Sequence, residues 1–334
     1  MEDFKNQLYL NPYHDQDLSK SSFLITGGAG FIGSNLVKYL LKYKAAKVRV
    51  LDNLSTGFLK NIQEFEPNPA FEFINGDIRD AKTCASACKG IDYVAHQAAL
   101  GSVPRSIHDP SATSQVNIEG FLNMLIAVKD QQVKRMVYAA SSSTYGDSRE
   151  LPKTEDRIGS PLSPYAVTKL VNELYADVFR KTYGTDSIGL RYFNVFGPNQ
   201  DPEGAYAAVI PLLMKAVLTG KAPLINGDGS QTRDFTFIEN VVQANIKALL
   251  FDGDVPHSVY NVAYSERISL NQLWSTIKEL NGTDPGQTYG PSRPGDIHDS
   301  LADISRIRTD LGYDPLYNVK KGLEYTLDWM KNRS

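Results

Sequence analysis

Cysteine is scarce in this chain: two in 334 residues, Cys84 and Cys88. They stand four apart in a stretch that reads as helix. They match no zinc pattern and a same-helix disulfide is disfavoured, so both read as reduced thiols of a cytoplasmic protein with no metal site. Positive charge is not in excess either, since 35 Lys and Arg against 38 Asp and Glu leave a net charge of −3. That argues against nucleic acid as the main partner, because phosphate binding needs a basic surface. It also argues against a polybasic membrane anchor. No apolar run approaches the roughly 20 residues of a spanning helix. Residues 1–20 are polar and aperiodic and lack the apolar centre of a signal peptide, so secretion is not indicated. They read as an extension, packed on the surface or partly mobile. Internal repeats and low-complexity segments are missing as well.

What is present is ample apolar material, 42% hydrophobic against 22% charged residues, enough for one large α/β domain or one with a smaller appendage. From Phe23 the chain alternates short β-rich runs, at 23–26, 47–51, 71–74, 93–95, 135–140 and 187–191, with amphipathic stretches at 32–43, 112–129 and 165–183. That rhythm predicts a doubly wound, Rossmann-type parallel sheet with crossover helices on both faces. Such sheets bind ligands at the carboxyl ends of their strands. After Asn194 prolines at 198, 202, 211 and 223 and glycines at 227 and 229 break the rhythm. Shorter helices follow near 209–219, 238–251, 270–280 and 319–330. The expectation is therefore an extension over 1–20, a dinucleotide-binding domain over 21–195, and a smaller α/β substrate domain mainly over 196–334. The chain is expected to cross back into the first domain at least once.

Residues 26–33, Thr-Gly-Gly-Ala-Gly-Phe-Ile-Gly, follow the first strand and open the first helix. Gly27 and Gly30 let the backbone turn and approach a pyrophosphate, Phe31 and Ile32 begin the helix, and Gly33 lets it pack closely on the sheet. The N–H groups and dipole of the helix start hold the anion. Asp52 ends the second strand about 20 residues on, where a carboxylate accepts from ribose hydroxyls. Asn53 rather than arginine follows it, which favours NAD over NADP. Asp77 and Ile78 follow the third strand, where an acid can reach the adenine, and Gln97 and Ala98 follow the fourth.

Tyr165 and Lys169, four apart, stack on one helix face. Pro164 can start that helix, which comes after the serine run Ser141, Ser142, Ser143 at the end of the fifth strand. A neighbouring ammonium favours phenolate over phenol, as does the positive ring of NAD, so Tyr165 reads as a base near neutral pH. A hydroxyl from 141–143 would hold the substrate oxygen.

Together the segments GGAGFIGS, SSSTYGD, SPYAVTK and RYFNVFGP resemble the extended short-chain dehydrogenase/reductase family that acts on nucleotide sugars, over nearly the whole chain from Ser22. Within it, ALGSVPRS, SSSTYGD, LRYFNVFG, GAYAAVIP and INGDG look most similar to the UDP-N-acetylglucosamine 4-epimerase branch of the UDP-glucose and UDP-hexosamine 4-epimerases. The resemblance implies an isomerase with tightly bound NAD. Tyr165 would take the proton of the sugar 4-hydroxyl as the C4 hydride passes to NAD. The 4-keto sugar would then turn over in the pocket and take the hydride back on its other face. Lys169 would hold the nicotinamide ribose and Ser141 would stand at the family's catalytic serine, with Ser142 or Ser143 also able to contact the sugar.

The resemblance further implies that Asn194, Arg233 and Arg293 grip the diphosphate or sugar, planar guanidinium groups suiting phosphate oxygens. Asp296 would hold a ribose hydroxyl, Val209 would open a helix facing phosphate, and Leu224 and Asn226 would cradle uracil. Ser102 and Arg105 would line the sugar end. Ser300 aligns with a gate where a tyrosine goes with UDP-glucose and UDP-galactose, and a small residue with acetylated sugars. Serine there also suits a cap for a helix near 304–311. Dehydratases and decarboxylases of the family carry a carboxylate where Ser143 stands, which disfavours them here. A UDP-glucuronate or UDP-glucose 4-epimerase would share the Ser/Tyr/Lys set. An NAD-sensing regulator without turnover is disfavoured by the presence of both Tyr165 and Lys169. By analogy the helices over 112–129 and 165–183 are expected to pair in a homodimer.

Overall fold

The structure, a computed structural model, describes residues 8–204, 207–291 and 299–332. Its first half runs β1 (Ser22–Thr26), α1 (Phe31–Lys42), β2 (Lys47–Asp52), β3 (Phe71–Asn75), α2 (Ala81–Cys88) and β4 (Tyr93–His96). It continues with α3 (Val103–His108), α4 (Pro110–Ser114), α5 (Gly120–Asp130), β5 (Arg135–Ser141), α6 (Pro164–Tyr183) and β6 (Ser187–Tyr192). The second half holds β7 (Val195–Phe196), α7 (Val209–Leu218), β8 (Leu224–Asn226), β9 (Thr232–Asp234), β10 (Thr236–Phe237) and α8 (Ile238–Leu250). It closes with β11 (Val259–Val262), β12 (Arg267–Ser269), α9 (Leu270–Asn281), β13 (Thr288–Gly290), α10 (Ser305–Leu311) and α11 (Val319–Lys331).

Seven parallel strands in the order β11-β6-β5-β4-β1-β2-β3 form the central sheet. Their near-continuous apolar runs suit strands buried on both faces. One face is covered by α1 and α8, the other by α2, α5 and α6. The strand order reverses between β1 and β4, and the crevice at such a reversal is where this architecture takes ligands. β11 brings the late chain back into the sheet beside β6. Its Asn261 accepts the Tyr145 hydroxyl at 2.6 Å, so the returning strand steadies the turn after β5. The three remaining strand pairs, β7 with β10, β8 with β13 and β9 with β12, build the smaller layer.

Two expectations gain detail. The stretch 112–129 is helical throughout, but it passes through a π turn at Gln115–Glu119 between α4 and α5, where the buried Asn117 side chain bonds the loop at Leu100. Residues 8–20 lie along the surface with most side chains exposed, but they are anchored from within: Leu8, Tyr9, Tyr13 and Leu18 are buried, and the two tyrosine rings pack on Tyr39 of α1. Polar composition hid this, since the tyrosines carry both apolar rings and hydroxyls that find buried partners.

Candidate active site

A cavity of about 600 Å³ opens at the carboxyl ends of β1, β2, β4 and β5. The glycine loop forms one wall, and two of its glycines are obligatory. Gly27 has φ +69°, and a Cβ there would lie 2.7 Å from Ala98 N; at Gly33 it would lie 2.2 Å from the Gly27 carbonyl oxygen. Gly30 caps α1 without any side chain occupying the helix's first N–H groups, which leaves a donor set suited to phosphate. Asp52 is fixed by two backbone donors, Ala29 N–H at 2.9 Å and Leu54 N–H at 2.8 Å. Burial pushes its carboxyl up, and those two bonds oppose the push. Beside it Asn53 donates to Asp77 at 2.8 Å, and hydrogen bonds from Arg79 hold the Asp77 carboxyl down at about 2. Phe31, Ile32, Ile78, Gln97 and Ala98 complete this half. An anion-binding helix start, an oriented acid at the tip of β2 and space between them fit an NAD molecule.

On the other wall stand Ser141, Tyr165 and Lys169. Ser163 caps α6 by accepting the Ala166 N–H at 3.2 Å, Pro164 takes the first position, and Tyr165 and Lys169 then fall on one face. Lys169 is buried and donates to the Ala139 carbonyl at 2.7 Å. Burial lowers it to about 8, against a raising contribution from Glu173. Its Nζ lies 5.8 Å from the Tyr165 ring centroid. Burial raises the Tyr165 phenol, and a hydrogen bond with the Ser141 side chain opposes that. In the protein alone the net direction for the phenol is upward, the opposite of the depression expected from the sequence.

The serine run resolves geometrically. Ser141 ends β5 and accepts from the Ser143 N–H at 3.1 Å and the Ser143 hydroxyl at 2.9 Å, which leaves its own hydrogen to point at the phenol. Ser142 and Ser143 belong to the 3-10 turn that carries the chain away, and neither is among the described residues lining the cavity.

Asn117 is a site residue that the sequence did not single out. Its amide holds Leu100 N–H at 2.8 Å and Leu100 O at 3.1 Å, and also donates to Thr168 Oγ1 at 3.1 Å. It thereby fixes the cavity-lining stretch at 99–102 against α6 between Tyr165 and Lys169. No spacing rule marks one asparagine in an amphipathic helix as turned inward. Asn61 likewise went unread, and donates to the Ala29 carbonyl of the glycine loop at 2.9 Å.

Of the residues expected on the substrate side, Ser102, Arg105 and Asn194 line the cavity. Ser102 has φ +89° and Asn194 φ +27°, strained conformations of the kind that cluster at functional sites. Val209, Leu224, Asn226, Arg233 and Ser300 are not among the lining residues. Arg293 and Asp296 lie outside the described residues. Val209 opens α7 directly after the lining residues Ala207 and Ala208. Leu224 and Asn226 bound β8, and the Asn226 carbonyl accepts from Gln231 at 2.6 Å. Arg233 and Ser300 meet at β9, where the Ser300 N–H donates to the Thr232 carbonyl at 3.2 Å. Asn194, which lines the cavity, is tied to this cluster by one bond, its amide donating to the Asp234 carbonyl at 3.1 Å. The buried Asp234 carboxylate accepts the Ala302 N–H at 3.1 Å, and burial pushes it up to about 7. Ser300 is not a helix cap, since α10 begins at Ser305 after Ile304.

Among the described residues no helix is long and apolar enough to cross a membrane, and no group of His, Cys, Asp and Glu is arranged to hold a metal ion. The model of the NAD dependent epimerase/dehydratase family matches residues 23–263. A UDP-glucose 4-epimerase of Mycolicibacterium smegmatis is 35% identical over 313 residues, 93% of this chain and 99% of that protein. A UDP-N-acetylglucosamine 4-epimerase of Methanobrevibacter ruminantium, solved with UDP-N-acetylmuramic acid, superposes with a TM-score of 0.89 at 38% identity, covering 94% of this chain and 99% of that one. A UDP-glucuronic acid 4-epimerase of Bacillus cereus, solved with UDP-glucuronic acid and NAD, gives 0.86 at 34% identity over 94% and 100%.

Proposed function

The chain belongs to the NAD dependent epimerase/dehydratase family, and from that premise we propose that it inverts C4 of UDP-N-acetylhexosamines, interconverting UDP-GlcNAc and UDP-GalNAc. The observation that carries the reading is the convergence of Ser141, Tyr165 and Lys169 on one wall of the cavity whose other wall is the glycine loop. NAD bound there supplies the acceptor for the C4 hydride and the donor that returns it. The residues that would hold it are Gly27 to Gly33 at the pyrophosphate, Asp52 at a ribose diol and Lys169 at the nicotinamide ribose. Tyr165 takes the proton of the sugar 4-hydroxyl and gives it back, and Ser141 hydrogen-bonds the same oxygen. Lys169 keeps a positive charge near the phenol in the proton-accepting state. The 4-keto sugar turns over between the two transfers. Ser141, Ser142 and Ser143 offer no carboxylate for the extra proton steps of a dehydratase.

Residues 21–195 form the cofactor part in this reading and 196–334 mainly the substrate part, with β11 returned to the first. Arg233, Arg293 and Asn194 hold the diphosphate, Asp296 a ribose hydroxyl, and Val209, Leu224 and Asn226 the uridine end. Ser102 and Arg105 stand at the sugar. Acceptance of an acetamido group rests on Ser300 in the gate role that the resemblance implies, where a small side chain would spare the space that an aromatic ring would take from the turning sugar. The Methanobrevibacter neighbour supports that choice, and the Bacillus cereus neighbour supports a UDP-glucuronate 4-epimerase as the second reading. Turnover of UDP-GlcNAc, UDP-glucose and UDP-glucuronate side by side tests them. The expected result is fastest conversion of UDP-GlcNAc, lost in Ser300→Tyr while some UDP-glucose conversion remains. Conversion of UDP-glucuronate alone would move the assignment to the second reading.

A further inference from the structure

The strap at residues 8–16, anchored by the buried Leu8, Tyr9 and Tyr13, makes contacts that end at the cavity. Tyr9, fully buried, donates its N–H to Glu239 at 2.8 Å and its hydroxyl to Asn35 Oδ1 at 2.7 Å. The other end of that amide donates to the Phe31 carbonyl at 2.9 Å and the Pro198 carbonyl at 3.1 Å. One residue further on, Asn199 donates to Ser34 Oγ at 3.0 Å. Two side-chain bonds thus tie 198–199 to the first turns of α1. The next residues, Gln200 and Asp201, line the cavity, as do Phe31, Ile32 and Gly33 at the start of α1.

We propose that Tyr9 and Asn35 are positioning residues, a latch that holds the cavity rim at 198–204 onto the cofactor helix and so sets how fast the dinucleotide leaves. The physical case is the orientation of one buried amide. The carbonyl oxygens of Phe31 and Pro198 demand the NH₂ end, which turns Oδ1 the other way, into a region closed to water. Among the described residues only the Tyr9 hydroxyl donates to it there. Without that donor the amide shifts to find a partner, at the expense of the Pro198 bond. Tyr9 itself touches neither the cavity nor the reacting atoms.

This inference rests on the cavity being the NAD site, and the test separates the two. NADH bound to full-length protein is displaced by excess NAD and its release is followed by fluorescence. Tyr13→Phe is the matched control, because it removes a buried hydroxyl from the same strap whose partner is Glu239 at 2.6 Å. Tyr9→Phe should raise the release rate about fivefold, the weight of one net hydrogen bond, with turnover at saturating NAD unchanged. It should also speed amide exchange in the 198–204 peptide, while Tyr13→Phe does neither. Equal release from Tyr9→Phe and wild type, or equal acceleration in both variants, would overturn the latch. Wild-type protein that binds no NADH would instead overturn the cavity reading beneath it.

Discussion

Tyr165 and Lys169 owe their relation to the helix repeat, and Ser141 joins them from the end of a strand. Tyr165→Phe removes the proton acceptor and little volume. Turnover should fall at least about a hundredfold, the lower end of acid–base contributions, with circular dichroism unchanged. Near-normal epimerisation by a folded variant would assign the proton to another group. Lys169 allows a second test through its lowered pKa. Its folded value of about 8 lies below the ordinary 10.5, so between those values the unfolded chain binds more protons and stability rises with pH. Below about 8 both states are protonated and the full cost of burying the charge remains. In nucleotide-free protein the stability advantage of Lys169→Met over wild type should therefore shrink as pH rises from 8 to 10.5, measured by denaturant unfolding. A constant difference would mean that Lys169 is not held as buried as the structure has it. The Tyr165 and Lys169 pair was legible because its spacing is local and Pro164 marks the helix start. That Ser141, and not Ser142 or Ser143, lines the cavity was not legible, because it depends on a 3-10 turn. Asn117 was hidden for a related reason, since its role follows from a π turn and from contacts 17 and 51 residues away.

Elements of the first half were legible because strand and helix periods alternate there and the glycine loop and Asp52 punctuate them. β7 to β13 are short, two to four residues each, below the length at which a period declares itself. Their pairing is tertiary: β11 lies in the sheet only because β6 offers an open edge. The helix α6 carries a further message on its outer face. Val167, Leu174 and Val178, spaced seven and four apart, are exposed, as is Ile126 of α5. A stripe of that kind on a helix otherwise committed to the core marks an interface, and a second copy pairing through α5 and α6 is the proposed occupant. Leu174→Glu with Val178→Asp should leave the fold intact and halve the mass seen by light scattering. A wild-type protein that is monomeric at micromolar concentration would refute the pairing.

At the scale of the molecule, three distant stretches meet at one buried acid. Glu239, at the start of α8, accepts from Tyr9 and Tyr13 near the start of the chain and hydrogen-bonds Tyr317 near its end. Nothing in the composition of 8–20 announced this, because the burial is earned by partners on α1, 26 residues away, and on α8, more than 200 away. The α/β architecture itself was readable, since it needs only the order of elements, whereas the closure of the strap and the return of β11 need the folded whole. In the proposed chemistry the cavity removes and returns a single hydride at C4. The decisive experiment incubates the enzyme in ordinary water with UDP-GlcNAc carrying deuterium at C4. The expected product is UDP-GalNAc with the deuterium kept at C4, inverted, and no net NADH. UDP-GalNAc that has exchanged its label for solvent hydrogen, or no conversion by protein carrying NAD, would contradict it.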